Sequence, residues 1–163
     1  MKAVVFHGVG DIRLDDVTDP TIEAPTDAIV RITASAICGT DLHMIRGTLP
    51  GMEPGTVLGH EGVGVVEEVG ADVRNLRPGD RVVIASTTAC GYCAYCREGV
   101  LRPAGNCNHR RYIPNLLELV QGGVFDPSTV LTQQEALATA VDAYEAFDSR
   151  ADGWIKVELR PAA

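Results

Sequence analysis

Short apolar runs broken by turn residues fill the first hundred positions. Lys2–Phe6 is a compact β-prone run, Ala28–Ala34 alternates loosely and is rich in β-branched residues, and Gly62–Gly70 is a valine stretch with glycine at both ends. Arg81–Ala85 follows the turn Arg77-Pro78-Gly79-Asp80. Runs of this length, spaced by Gly and Pro, predict strands and an all-β barrel or sandwich. The pattern changes after Gly99. Positions 99–110 read as a connector, with Pro103, Gly105 and two Asn. A short helix is predicted over 113–121, opened by Pro114 in its first turn, stopped by Gly122-Gly123, and apolar along Leu116, Leu117 and Val120. Thr132 with Glu135 three residues later reads as a capping box. It predicts a longer helix over 133–149 with Leu137, Val141 and Tyr144 on one side, and Trp154–Leu159 as a closing strand.

The chain has 163 residues, of which 45% are hydrophobic. That suits a single domain over 1–163 with a real core, and excludes intrinsic disorder. A formal net charge of -8 and an isoelectric point near 4.9 argue against a nucleic-acid or membrane-surface partner, because nothing neutralises phosphates in bulk. No apolar run approaches the ~18 residues of a membrane span. No signal peptide is visible at the N-terminus, so the expected location is the cytoplasm. Five cysteines, at 38, 90, 93, 96 and 107, make an odd number. In a reducing compartment that favours metal or catalytic use over a disulfide framework.

Two segments carry candidate chemistry: Cys38-Gly39-Thr40-Asp41-Leu42-His43 and Gly59-His60-Glu61-Gly62-Val63-Gly64. Zn²⁺ takes thiolate sulfur and imidazole nitrogen well, and a catalytic site keeps one position open. Cys38 and His60 are candidate ligands, and Glu61 adds an oxygen. Asp41 has the chemistry to hold the other ring nitrogen of His60 and so fix its tautomer. Thr40 offers a hydroxyl that passes a proton, and His43 carries it to water. Taken singly, a buried Cys is usually packing and a His beside a strand is usually just hydrogen-bonded. The two segments together favour the metal.

A third segment, Cys90-Gly91-Tyr92-Cys93-Ala94-Tyr95-Cys96, is a tight C-x-x-C-x-x-C loop. A structural Zn²⁺ site needs four ligands, and Cys107 is the obvious fourth. An iron–sulfur cluster normally adds a fourth cysteine soon after, followed by Pro, and neither follows Cys96 closely.

At these residues the chain resembles the zinc-dependent medium-chain alcohol dehydrogenases. Gly59-His60-Glu61-x-x-Gly64-x5-Gly70-x-x-Val73 matches that family's zinc pattern, Cys38-Gly39-Thr40-Asp41-x-His43 its first ligand segment, and Asn75-Leu76-Arg77-Pro78-Gly79-Asp80-Arg81-Val82 the hairpin that follows. The likeness runs through 1–99, the GroES-like catalytic domain. It resumes over about 105–160, with Tyr112-Ile113-Pro114 before a helix and Trp154-Ile155-Lys156-Val157 as the last strand. The resemblance therefore implies a mainly β fold with α, a GroES-like β-barrel plus C-terminal helices. The Rossmann domain that lies between those parts in the family has no counterpart. No G-x-G-x-x-G follows a strand and opens a helix.

The resemblance also exposes departures. The family's third protein ligand to the catalytic zinc lies in the missing stretch, leaving Cys38 and His60, with Glu61 as the neighbour that swings onto the metal in some members. Its fourth structural cysteine falls where this chain has Ala104, so Cys107 as a substitute and a metal-free loop both stay open. A basic residue near Lys156 touches cofactor pyrophosphate in full-length relatives, and Arg110 and Arg111 fall on the same side. Without the Rossmann domain, solvated charge is the plainer reading. NAD(P) binding by the chain alone is not expected, since the Gly-rich turn, helix N-terminus and ribose carboxylate are missing in the right order. The expectation from sequence is zinc acting as Lewis acid or hydroxide source on a small carbonyl or alcohol substrate, a non-redox lyase or hydrolase type of activity. The alternatives are an alcohol or aldehyde oxidoreductase whose cofactor is held elsewhere, and a non-catalytic metal-binding remnant. The barrel face left bare by the missing domain leads to the expectation of a homodimer through a surface the family does not use.

Overall fold

The computed structural model describes residues 1–86, 94 and 109–162. The chain forms two compact units, Met1–Ile84 with Val130–Ala163, and Ala85–Thr129. In chain order the elements are β1 (Lys2–Gly8), β2 (Asp11–Asp16), β3 (Ala28–Ile37), α1 (Gly39–Ile45), β4 (Thr56–Val57), β5 (Val63–Val69), β6 (Arg81–Val83), α2 (His109–Gln121), β7 (Gln133–Ala136), α3 (Ala140–Asp148) and β8 (Val157–Arg160). Of these elements, α2 belongs to the second unit. Among the described residues no helix is long and apolar enough to cross a membrane.

The first unit holds two sheets, ordered β2-β1-β4 and β6-β5-β3-β8-β7. All neighbours are antiparallel except β7 and β8. The run Ala3–Phe6 is continuously apolar rather than alternating, and all four residues are buried, so both faces of β1 are covered. Val4 and Phe6 join Ile37, Leu58, Ala140, Ala143, Tyr144, Val157 and Leu159 in one core. β3 ties the unit together. Its first part pairs with β5, and its last three residues pair with β8, where Ile37 faces Val157. This cross-link sets the start of α1, and with it Cys38, against the chain's last strand.

Gly64 sits opposite Ile32 in the β3–β5 ladder. A Cβ added there would lie 2.3 Å from the Arg31 carbonyl oxygen. That neighbour is backbone and has no freedom to swing aside. Gly64→Ala is expected to cost about 1–3 kcal/mol, the range of core overpacking, read as a lowered thermal midpoint. An unchanged midpoint would show that β3 and β5 separate locally at no cost.

The helix expected over 133–149 is corrected. Gln133–Ala136 is strand β7, residues 137–139 form a 3₁₀ turn, and the α-helix runs only from Ala140 to Asp148. The capping box fails because Gln133–Ala136 finds a sheet partner, pairing in parallel with Val157–Arg160. The Thr132 hydroxyl serves the sheet instead, accepting from the Ile155 amide at 2.9 Å and the Lys156 amide at 3.3 Å. Tertiary pairing outweighs a local cap worth about 1 kcal/mol. The helix expected over 113–121 begins earlier, at His109, and Pro114 lies inside it. Proline there forgoes one i→i−4 bond near the first turn. Leu116 and Leu117 of its expected apolar face remain 47% and 45% exposed. Strands β2 and β4 had no expectation from the sequence. β2 (DIRLDD) carries only two apolar residues and is held by its register with β1.

Candidate metal site

The site is built where β3 hands over to α1. Cys38 has extended backbone (φ −113°, ψ 154°) and stands at the helix N-cap. Its amide donates to Asp41 Oδ2 at 2.9 Å, so the first-turn carboxylate reaches back to the cap. That bond fixes Asp41 inward, with a relative exposure of 0%. Asp41 Oδ1 faces His60 Nδ1 at 3.0 Å, off the line of an aligned hydrogen bond, and both atoms are buried with no other partner. Burial raises the Asp41 pKa, while the Cys38 amide and His60 act to lower it. A fully buried carboxylate set against an imidazole nitrogen is the arrangement that holds a ligating histidine in one tautomer. With Nδ1 turned to Asp41, Nε2 is the nitrogen that would be left for a ligand.

Cys38, His60 and Glu61 each offer one ligand atom, and these atoms all lie within 4.8 Å of one another. All three side chains are partly buried, and the Cys38 thiol is free of any disulfide. Sulfur, imidazole nitrogen and carboxylate oxygen form a donor set that Zn²⁺ accepts. Three protein donors, the number brought together among the described residues, is also the protein ligand count of a catalytic zinc. The residues present therefore fit the metal, and the buried Asp41 Oδ1 facing His60 Nδ1 fits a carboxylate that orients a ligating histidine.

The remaining candidate positions fall as follows. Thr40 lies beside the ligand, its Oγ1 3.7 Å from Cys38 Sγ. His43 is exposed on α1, and its Nδ1 meets Thr48 Oγ1 at 2.8 Å. Thr40 is thus gathered at the site, while His43 faces outward and is engaged with Thr48. The cysteine loop of Cys90, Cys93, Cys96 and Cys107 lies outside the described residues.

The sequence reading missed two neighbours. Lys156 is not simply solvated charge: its Nζ forms an ion pair with Glu61 and donates to the Ile37 carbonyl at 3.3 Å. The signal was the pairing of Ile37 with Val157, which sets Lys156 beside Cys38 across 118 positions of sequence, and no local pattern reveals a pairing at that range. Tyr144 was read only as part of a helix face. It is 3% exposed, and its phenol lies near enough to Asp41 to feel that carboxylate. Burial, and then the Asp41, Cys38 and Glu61 charges, push the phenol far above its ordinary pKa, so it remains a neutral O–H donor.

With this geometry in place, comparison with known proteins is informative. The family model of the alcohol dehydrogenase GroES-like domain matches residues 24–139, well over half of the chain. The chain belongs to that family. It is 48% identical over 97 residues to a zinc-type alcohol dehydrogenase-like protein of Bacillus subtilis, covering 60% of this chain and 26% of the relative. It is 49% identical over 98 residues to a zinc-type alcohol dehydrogenase-like protein of Schizosaccharomyces pombe, covering 60% and 23%. The chain thus spans about a quarter of the length of these relatives. Among solved structures, the alcohol dehydrogenase of Thermus sp. ATN1 aligns at 46% identity and a TM-score of 0.57, over 61% of this chain and 28% of that one. The zinc-dependent alcohol dehydrogenase 2 of Streptococcus pneumonia, in its apo form, aligns at 31% identity and a TM-score of 0.59, over 99% of this chain and 54% of that one. The expected GroES-like fold with C-terminal helices is what the chain adopts, and no Rossmann domain occurs among the described residues.

Proposed function

We propose that this member of the alcohol dehydrogenase GroES-like family is the zinc-binding catalytic part of an oxidoreductase acting on a small alcohol or aldehyde, with the nicotinamide held by residues outside this chain. The observation that carries the reading is the Cys38–His60–Glu61 donor cluster on a fold whose matched relatives are described as zinc-type alcohol dehydrogenases. This favours the oxidoreductase alternative over the non-redox chemistry expected from sequence, because the non-redox reading rested on the missing dinucleotide site alone. A chain spanning a quarter of its relatives is compatible with a cofactor site supplied elsewhere.

Bound zinc would supply a Lewis acid that polarises the substrate oxygen. The chain's own residues do the rest. Cys38 and His60 would hold the metal, and Asp41, facing Nδ1 of His60, would orient that imidazole. Glu61 would be the third donor, and Lys156 holds its carboxylate by an ion pair while donating to the Ile37 carbonyl. The Thr40 hydroxyl, beside Cys38, is placed to exchange a proton with the substrate oxygen.

The direct test inserts a nicotinamide-binding Rossmann domain between residues 84 and 130 of this chain, so that the whole unit carrying the site is kept. NAD(P)-dependent oxidation of small alcohols, lost on His60→Ala, is the expected result. The zinc-loaded chain alone should show no saturable NADH binding tighter than about 100 μM, roughly −5.5 kcal/mol. An inert chimera, beside cofactor-free hydrolysis of esters or hydration of aldehydes by the chain alone, would restore the non-redox reading.

A further inference from the structure

The ends of α1 and α3 are joined by an ion pair between Arg46 and Asp148, and the Arg46 guanidinium also donates to the Asp148 carbonyl at 3.5 Å. Asp41 lies five residues before Arg46, and Tyr144 four residues before Asp148. At ~1.5 Å of rise per residue, both steps return about one turn along their helices. The clamp and the Asp41–Tyr144 contact therefore occupy matching levels of two neighbouring helices. Leu42, Met44 and Ile45 of α1 pack against the core that contains Tyr144, which prevents the helices from sliding apart.

Asp41 has the unpartnered atom in this arrangement. It is fully buried, Oδ2 is taken by the Cys38 amide, and Oδ1 faces His60 with no aligned donor. A buried carboxylate oxygen without a hydrogen bond is costly. Tyr144 carries a buried O–H near that carboxylate, on the helix that the Arg46–Asp148 pair ties to α1.

We propose that Tyr144 is a positioning residue for the metal site: its hydroxyl donates to the Asp41 carboxylate, which in turn orients His60 toward zinc. The proposal rests on the reading that Cys38, His60 and Glu61 hold zinc. Tyr144 touches neither metal nor substrate, and its effect passes wholly through Asp41. The donor comes from the C-terminal segment, so β8 and α3 belong to the metal site as much as the two ligand segments do.

The test is zinc affinity by competition with a chromophoric chelator on the full chain, read on the zinc equivalent that Cys38→Ser loses. Tyr144→Phe keeps the ring and removes the donor, and it should weaken that equivalent about tenfold, the lower end of losses from outer-shell changes. Tyr144→Met, apolar and unbranched, should repeat the loss if the ring itself is unimportant to the metal. Asp41→Asn should weaken zinc as well, and Asp41→Asn with Tyr144→Phe should be no weaker than Asp41→Asn alone. A residue that merely fills the core would lower the thermal midpoint of the metal-free chain and leave zinc affinity unmoved. Wild-type affinity in Tyr144→Phe, or losses that add in the double variant, would overturn the proposal and leave the metal site intact. A wild-type chain with no Cys38-dependent zinc would overturn the metal reading and this proposal together.

Discussion

His60→Ala is expected to remove one full equivalent of zinc from the chain, with affinity at that site falling more than about 100-fold, beyond the range of outer-shell losses. The argument is geometric. His60 supplies the only imidazole among three donor atoms that lie within 4.8 Å of one another. Its loss leaves a thiol and a carboxylate, and that carboxylate is also held by Lys156. It further removes the imidazole that faces the buried Asp41 Oδ1. Some destabilisation of the metal-free chain should therefore accompany the loss of zinc. Elemental analysis after dialysis against free metal reads the effect. Wild-type zinc content in His60→Ala would remove His60 from the ligand set.

The largest effect on stability should come from Ile37→Ala, about 2–5 kcal/mol as for large-to-small changes in a core. Ile37 is fully buried, pairs with Val157 and lies in the same core as Tyr144. A loss of this size is a large share of the ~5–15 kcal/mol that separates folded from unfolded chains. Ile37 immediately precedes Cys38, and its carbonyl accepts from Lys156. A cavity there should loosen the ligand shell as well as the fold. Denaturant midpoints measured with and without zinc separate the two consequences. The metal-free midpoint should fall sharply, and added zinc should restore less stability than it gives the wild type. A variant as stable as the wild type would mean that the β3–β8 junction is not the keystone described here.

The parts of the molecule legible in sequence are those with a local signal. Valine runs bounded by glycine gave β5, and the turn Arg77–Asp80 placed β6 after it. The two ligand segments were readable because sulfur, imidazole and carboxylate stood together in short spacings. What failed had only local support against a long-range competitor. Thr132 and Glu135 looked like a helix start, yet β8 offered Gln133–Ala136 a full set of backbone partners. β2 escaped notice because Asp11–Asp16 is polar, and its strand character comes from pairing with β1. The roles of Lys156 and Tyr144 were hidden for a related reason. Each acts across more than ninety positions, on Glu61 and on Asp41, and only the meeting of β3 with β8 and of α1 with α3 brings them into reach.

X-ray absorption at the zinc edge tests the central claim most directly. The sample is the chain with Cys90, Cys93, Cys96 and Cys107 all replaced by serine, loaded with one equivalent of zinc. The account predicts a mixed shell: one sulfur at about 2.3 Å, with nitrogen and oxygen donors at about 2.0–2.2 Å. The sulfur should vanish when Cys38 is also replaced. A shell without sulfur, or a chain that retains no zinc, would contradict the assignment of Cys38, His60 and Glu61 as a metal site.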